Sequence, residues 1–183
     1  MTPEHLLVSS CAPMLRSLST WLDKAGAAGG DALLSARLAP DMFPLATQVR
    51  FACVQPREGM HRLAGEEFSP DLIALLDEAR DGGDRPGTLD DARARIAETL
   101  ALIDGFAGKA GADPERPIAH ALPIGTTFDL TATQYVRDWV LAQFYFHVMT
   151  TYAILRANGV PLGKGDYVAH LLPFLRPAPA ATA

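Results

Sequence analysis

Residues 131–164 constrain the fold of this chain more than any other part of its sequence. They read as one long helix that is apolar on almost every side and carries a narrow polar stripe of Gln143, His147, Thr150 and Thr151. Side chains three and four residues apart lie on the same face of a helix. A helix that is apolar nearly all round must be buried on most sides. Burying a polar group without a partner costs roughly 2–7 kcal/mol, so the stripe is expected to face polar partners, water or a ligand.

Three further stretches have the length and apolar spacing of long helices, which makes four in all. Their predicted ranges are residues 2–26, residues 42–65 with Met42 on the apolar face, and residues 88–105. A shorter helix is predicted from Ser69 and Pro70 to about Arg80, because a serine cap followed by proline is a common helix start. Pro13 inside the first stretch predicts either a kink or a helix that begins after Ser10.

A small β-hairpin is predicted just before the last long helix. Its strands are residues 118–122 and 127–130, on either side of a Pro-Ile-Gly-Thr turn. Thr131 and Gln134 then form the pattern of a capping box, which marks the start of the helix. The predicted fold class is therefore all-α, a four-helix bundle with one hairpin. One domain is expected over residues 1–176, followed by a disordered tail at 177–183.

Composition narrows the range of partners. The 183 residues carry a formal net charge of −5, and the basic residues are scattered, so a nucleic-acid partner is not expected. No run approaches the ~20 apolar residues of a membrane span, and the apolar run at residues 6–8 is too short for a signal peptide. Cys11 and Cys53 have no metal-site or redox spacing, and we expect them to be small buried hydrophobes in a cytoplasmic protein.

His147 is the side chain on the polar stripe with catalytic or metal-binding chemistry. A metal pair on one helix would usually be His-x-x-x-His, but the position four residues on is Thr151, which is a poor ligand. The histidines at positions 5, 61, 120 and 170 are not at helical spacing from His147. A hydrogen-bonded core histidine and a metal ligand both remain open. The aromatic residues around it cover too many helical directions for one core, which favours a subunit interface.

Two segments carry a resemblance to a known family. They are ARLAPDMFPL at residues 36–45, and FYFH at 144–147 followed by YAILR and NGVPLGK up to Lys164. Both resemble a bacterial family described as a domain of unknown function, which is grouped with the DinB/YfiT-like superfamily of four-helix bundles. The resemblance covers about residues 3–168.

The resemblance implies a bundle that often forms dimers and that in some members holds a three-histidine metal centre. Members with that centre include thiol-dependent transferases and isomerases. One histidine of the centre lies on the second long helix, and a His-x-x-x-His pair comes late in the bundle. This sequence matches the pattern at His147 only. Gln48 or a neighbour stands in the region of the first ligand, and Thr151 in that of the third.

Three functions are therefore compared. The first is a homodimeric bundle whose interior around Gln48, Gln143, His147 and Thr151 binds a small ligand without a complete metal site. The second is a metal-dependent enzyme, similar to the thiol-linked transferases, in which His147 binds Zn²⁺ or Ni²⁺. The third is an interaction protein that forms dimers and has no catalytic activity.

Overall fold

The computed structural model describes residues 1–108, 111, 113–122 and 124–176, so the predicted tail lies outside the described residues. Within them the all-α prediction is confirmed. The elements in chain order are α1 (Pro3–Ala28), a 3-10 helix (Gly30–Ser35), α2 (Leu45–Ala64), α3 (Pro70–Asp81), α4 (Leu89–Phe106), β1 (Pro117–Ala121), β2 (Thr127–Thr131), α5 (Ala132–Gln134), a π-helical segment (Tyr135–Val140), α6 (Leu141–Ala157), α7 (Lys164–Tyr167) and a second 3-10 helix (Ala169–Phe174).

Helix starts follow the capping signals of the sequence. Thr2, Ser69, Thr88 and Thr131 each precede a helix and accept a hydrogen bond from a backbone N–H of its first turn. Such a cap satisfies one of the backbone donors that a helix end leaves without a partner. The predicted ends of α3 and α4 lie within one residue of the observed ones. Local polar chemistry therefore sets most of the helix boundaries.

Two details of the predicted helices are corrected. The α1 helix runs through Pro13, so the alternative in which it begins after Ser10 is wrong. Met42 lies outside α2, which begins at Leu45 after Pro44 as its N-cap. The physical reason is that a residue before a proline, here Phe43, is disfavoured in the helical region of backbone space.

The α2 helix is the centre of the bundle. It packs against α1, α4 and α6 and carries α3 on its outer side. Of its 20 residues, 15 are buried. Gln48 of α2 faces His147 of α6, whereas Gly59 faces Val140, so the two helices run antiparallel. A helix so deeply buried must find protein partners for its polar side chains.

A network of ion pairs and hydrogen bonds joins α2 to α3 and α4 and gives two buried arginines of α2 their protein partners. Arg50 donates to Glu78 at 2.6 Å, and Arg95 donates to the other oxygen of the same carboxylate at 2.8 Å. Arg57 donates to the hydroxyl of Thr99 at 2.8 Å and contacts Glu98. The network lies on the side of α2 that faces α3 and α4.

The predicted hairpin is confirmed as β1 paired antiparallel with β2, with Ile118 opposite Leu130 and His120 opposite Phe128. Ile118 and His120 are buried and their β1 neighbours are exposed. Alternate residues of a strand point to opposite faces, so these two side chains dock the hairpin on the bundle. The hairpin leads directly into the last long helix, whose capping box of Thr131 and Gln134 is also confirmed.

Candidate functional site

The polar stripe of the last helix meets α2 at one pair of side chains. Nδ1 of His147 lies 2.8 Å from Oε1 of Gln48. The amide nitrogen of Gln48 donates to the backbone carbonyl of Phe43 at 3.3 Å, which fixes the orientation of the amide. Because Oε1 can only accept, Nδ1 of His147 carries the proton. This bond ties the middle of α6 to the first turn of α2.

The same hydrogen bond defines the free side of the imidazole. With Nδ1 protonated, Nε2 of a neutral histidine is an acceptor. Nε2 has no hydrogen-bond partner in the described part of the chain. It is also not one of the unpartnered polar atoms that are closed off from solvent. Burial lowers the pKa of His147 to about 4, so the ring is neutral at physiological pH. His147 therefore offers one uncharged acceptor at a narrow opening, with 7% of the residue exposed.

Aromatic side chains surround this acceptor. The ring of Phe51 stacks on His147 at 5.1 Å between centroids, and Phe146 meets it edge-on at 5.3 Å. Phe43 lies 6.0 Å from Phe51. Phe43 and Phe146 are 52% and 55% exposed, which is high for side chains of this size. The opening at Nε2 is thus walled by apolar rings that are themselves accessible.

The other predicted site residues are placed differently. Thr151 is fully buried, and its hydroxyl is sealed from solvent without a partner among the described residues. The hydroxyl of Thr150 donates to the carbonyl of Phe146 at 2.7 Å, a bond within its own helix. Gln143 is partly exposed. The structure therefore brings Gln48 and His147 together, while neither threonine hydroxyl bonds to the pair.

Larger clefts lie on another side of α2. Two neighbouring clefts of about 430 and 630 Å³ are found between α2, α3 and α4, with Arg57 lining both. Gln48 and His147 do not line them. The size of a cleft alone therefore does not locate the histidine.

Comparison with known proteins identifies the family. The family model described as "Domain of unknown function (DUF1993)" matches residues 5–168. The chain belongs to the DUF1993 family. It is also similar to the crystal structure of a DinB family member protein from Shewanella denitrificans, with 31% identity and a TM-score of 0.69. That match covers 98% of this chain and 94% of the other. No curated protein matches the sequence.

These findings confirm the resemblance of this DUF1993 chain to DinB-like bundles. A three-histidine centre nevertheless does not fit the residues present. His147 keeps a free ring nitrogen, but the amide of Gln48 and the buried hydroxyl of Thr151 stand where the other two histidines would be, and both are poor metal ligands. Across the described ranges, no three His, Cys, Asp or Glu residues are grouped so that they could hold a metal ion. Catalytic zinc commonly needs three such protein ligands.

The thiols of the DUF1993 chain offer no alternative nucleophile. Cys11 and Cys53 are buried and free, as predicted. Burial raises the pKa of Cys53 to about 12 and that of Cys11 further, so both are protonated thiols at neutral pH. In the described residues, no helix is both long enough and apolar enough to cross a bilayer.

Sequence reasoning missed the aromatic wall on α2. Phe51 is three residues after Gln48, so both lie on the same side of α2, and that spacing was the available signal. It was not decisive because an apolar residue on a central helix usually fills the core. Phe51 is only partly buried instead.

Proposed function

We propose that this DUF1993 chain is a DinB-like bundle that binds a small aromatic molecule bearing a hydrogen-bond donor, without a tightly bound metal. One observation carries the proposal, namely the bond from Nδ1 of His147 to Gln48, which leaves Nε2 as a neutral acceptor. An O–H or N–H of the ligand would donate to Nε2, and its ring would contact Phe43, Phe51 and Phe146. Apolar walls with few polar groups are typical of small-molecule sites.

The proposal is tested with phenol and anisole, which differ in that only phenol can donate a hydrogen bond. We expect phenol to shift the ring resonances of His147 in NMR spectra and to bind about five- to tenfold more tightly than anisole, since one neutral hydrogen bond contributes about 1 kcal/mol. The variant His147→Phe keeps an aromatic ring and removes the acceptor. In that variant phenol and anisole should bind equally.

Equal binding of the two probes to the wild-type chain would overturn the proposal. So would phenol binding that is unchanged in His147→Phe. Two-bond ¹H–¹⁵N spectra of the free protein provide an independent check, because they distinguish a proton on Nδ1 from one on Nε2. A proton on Nε2 would remove the free acceptor on which the proposal depends.

The metal-dependent alternative makes a different prediction. If His147 binds Zn²⁺ or Ni²⁺, tag-free protein should contain metal near one equivalent and lose it in His147→Ala. Metal at far less than one equivalent, together with preferential binding of phenol, favours the metal-free site.

A homodimer is a second candidate, favoured by the outer face of α6. Tyr145, Phe146 and Met149 are 37%, 55% and 46% exposed. No charged residue occurs between Leu141 and Leu155. We infer that a second copy of the chain covers this face, since an uncharged and largely apolar helix side is suited to packing against its own copy.

A further inference from the structure

A second group of polar side chains lies under the hairpin, about 12 to 18 Å along the last helix from His147 at about 1.5 Å per residue. We call it the hairpin cluster: Glu58 and Arg62 of α2, His120 of β1, and Tyr135 and Trp139 of the π-helical segment. The ring of His120 lies 4.4 Å from Trp139 and 5.3 Å from Tyr135, between centroids. Glu58 and Arg62 are four residues apart and share one face of α2.

The cluster contains several sealed polar atoms without hydrogen-bond partners among the described residues. They are Nε of Arg62, Nδ1 of His120, Oη of Tyr135 and Nε1 of Trp139. Tyr135 is fully buried, and His120 is 6% exposed. Each such atom destabilises the fold relative to one that has a hydrogen-bond partner. Four in one cluster form an unusual concentration, because buried polar groups normally have partners.

The backbone is also irregular at this point. Tyr135–Val140 is π-helical, within a rod that is otherwise α-helical. Short π-helical segments are rare and occur often at functional sites. Here the segment supplies Tyr135 and Trp139, the two residues whose rings meet His120. The local irregularity and the unsatisfied polar atoms therefore coincide.

The unsatisfied atoms favour a ligand that accepts hydrogen bonds. Nε of Arg62 and Nε1 of Trp139 are donors only, and the hydroxyl of Tyr135 can donate. The guanidinium of Arg62 supplies positive charge and lies 4.6 Å from the ring centre of Phe68. Planar guanidinium groups pair well with carboxylates. Aromatic rings on two sides favour a flat molecule.

Glu58 controls the net charge of the cluster. Burial raises its pKa to about 7, with Arg62 of α2 and Arg80 of α3 acting in the opposite direction. Tyr135 of the π-helical segment is neutral, because burial and Glu58 raise its pKa against the opposing effect of the Arg62 guanidinium, which lies close to its hydroxyl. His120 of β1 is also neutral, because burial and Arg62 lower its pKa. With Arg62 charged, the cluster carries a net charge of about +1 when Glu58 is protonated and about zero when it is ionised, so an anion binds better to the protonated form.

We propose that the hairpin cluster is a binding site for a small flat carboxylate, with Arg62 as the anion-binding group and Tyr135 and Trp139 as further donors. Glu58, Arg62 and Trp139 each keep part of their surface in solvent, so a ligand meets the cluster at these residues and reaches the sealed polar atoms by displacing the side chains that cover them. The site is separate from the one at His147 and does not depend on it.

The experiment compares benzoate with benzamide, which has nearly the same shape and no charge, by calorimetry at pH 6 and pH 8. We expect benzoate to bind and benzamide to bind at least tenfold more weakly. Benzoate stays ionised over this range, so its affinity should fall about tenfold from pH 6 to pH 8, as the protonated fraction of Glu58 falls. In Glu58→Gln that change should be less than twofold.

Arg62→Met keeps the packing of the long side chain on Phe68 and removes the charge. We expect it to weaken benzoate binding at least tenfold, whereas His147→Phe should leave that binding unchanged. Equal binding of benzoate and benzamide would overturn the proposal, as would a pH dependence that persists in Glu58→Gln. Binding of inorganic phosphate without benzoate would also overturn it.

Discussion

At the scale of single residues, the polar side chains of α2 differ in whether their donors and acceptors have hydrogen-bond partners in the protein. Arg50 donates from all three guanidinium nitrogens, to Glu78 and two backbone carbonyls. Gln48 bonds to both His147 and Phe43. Glu58 instead makes no hydrogen bond or ion pair in the described part of the chain. Polar groups with a full set of partners stabilise the fold, and a buried polar group without one calls for an explanation.

Replacing Gln48 with leucine should destabilise the protein by about 1–3 kcal/mol, because Nδ1–H of His147 would stay buried without an acceptor. Urea unfolding measures the change in the free energy of unfolding. The double variant with His147→Phe removes both partners, and it should lose less stability than the sum of the two single variants. Additive losses would show that the two side chains do not interact in solution.

Protonation of His147 should couple stability to pH. Burial lowers its pKa to about 4 in the folded protein, whereas the unfolded chain keeps the ordinary value of 6.5. Between these values the unfolded state binds a proton that the native state does not, so the stability contributed at this site falls as the pH falls from 6.5 to 4. The effect reaches about 3 kcal/mol at most, since one pKa unit corresponds to about 1.4 kcal/mol.

The measurement compares the free energy of unfolding of the wild type with that of His147→Phe at pH 7.5 and pH 4.5. Groups common to both proteins cancel in the difference. The wild type should lose more stability than the variant on acidification. A difference between the two proteins that is the same at both pH values would contradict the lowered pKa.

At the scale of elements, sequence predicts what is encoded locally. The caps Ser69 and Thr88 and the capping box at Thr131 define helix starts by short-range hydrogen bonds. The π-helical segment Tyr135–Val140 was predicted as ordinary α-helix. Its apolar pattern fits both forms, and the contacts that distinguish it come from His120, 15 residues earlier in the chain and on another element. Such long-range contacts have no signature at helical spacing.

Two helical glycines provide a test of how closely the elements pack. A Cβ on Gly59 of α2 would lie 2.4 Å from Cδ1 of Leu7, which is fully buried, and 3.4 Å from Val140. Gly59→Ala should therefore cost about 1–3 kcal/mol through overpacking, in spite of the better helix propensity of alanine. A Cβ on Gly105 of α4 would meet nothing within 4 Å.

Gly105→Ala is the matched control and should be neutral or stabilising by up to about 1 kcal/mol. Thermal unfolding of both variants measures the contrast. A stabilising effect at Gly59 would mean that α1, α2 and the π-helical segment do not approach as closely as the structure has them.

At the scale of the whole molecule, the sequence predicted the bundle better than the site. The inward position of His147 followed from the apolar helix around it, and the resemblance placed Gln48 or a neighbour in the region of the first metal ligand. The separation of Gln143 and Thr151 from this pair could not be predicted. It depends on the rotation of α6 against α2, which side-chain packing along the whole interface determines.

The exposed outer face of α6 leads to a prediction about the oligomeric state of the protein. Met149 on this face is 46% exposed, and Leu102 on α4 is 49% exposed, so the two residues form a matched pair of accessible aliphatic side chains. If a second copy covers α6, Met149→Glu buries a charge in the interface and should shift the protein to monomer. Leu102→Glu places the same charge outside that interface and should leave the dimer intact.

Light scattering coupled to size-exclusion chromatography measures both variants over a hundredfold range of concentration, against a chain mass of 19.6 kDa. The wild type should have twice the chain mass and dissociate on dilution. Met149→Glu should weaken the dimer at least tenfold, since a charge that loses water without gaining a partner costs several kcal/mol. A monomeric wild type at every concentration, or equal effects of the two substitutions, would rule out a dimer through α6. Because Phe146 belongs to both the α6 face and the aromatic wall at His147, a dimer formed this way should also weaken on saturation with phenol.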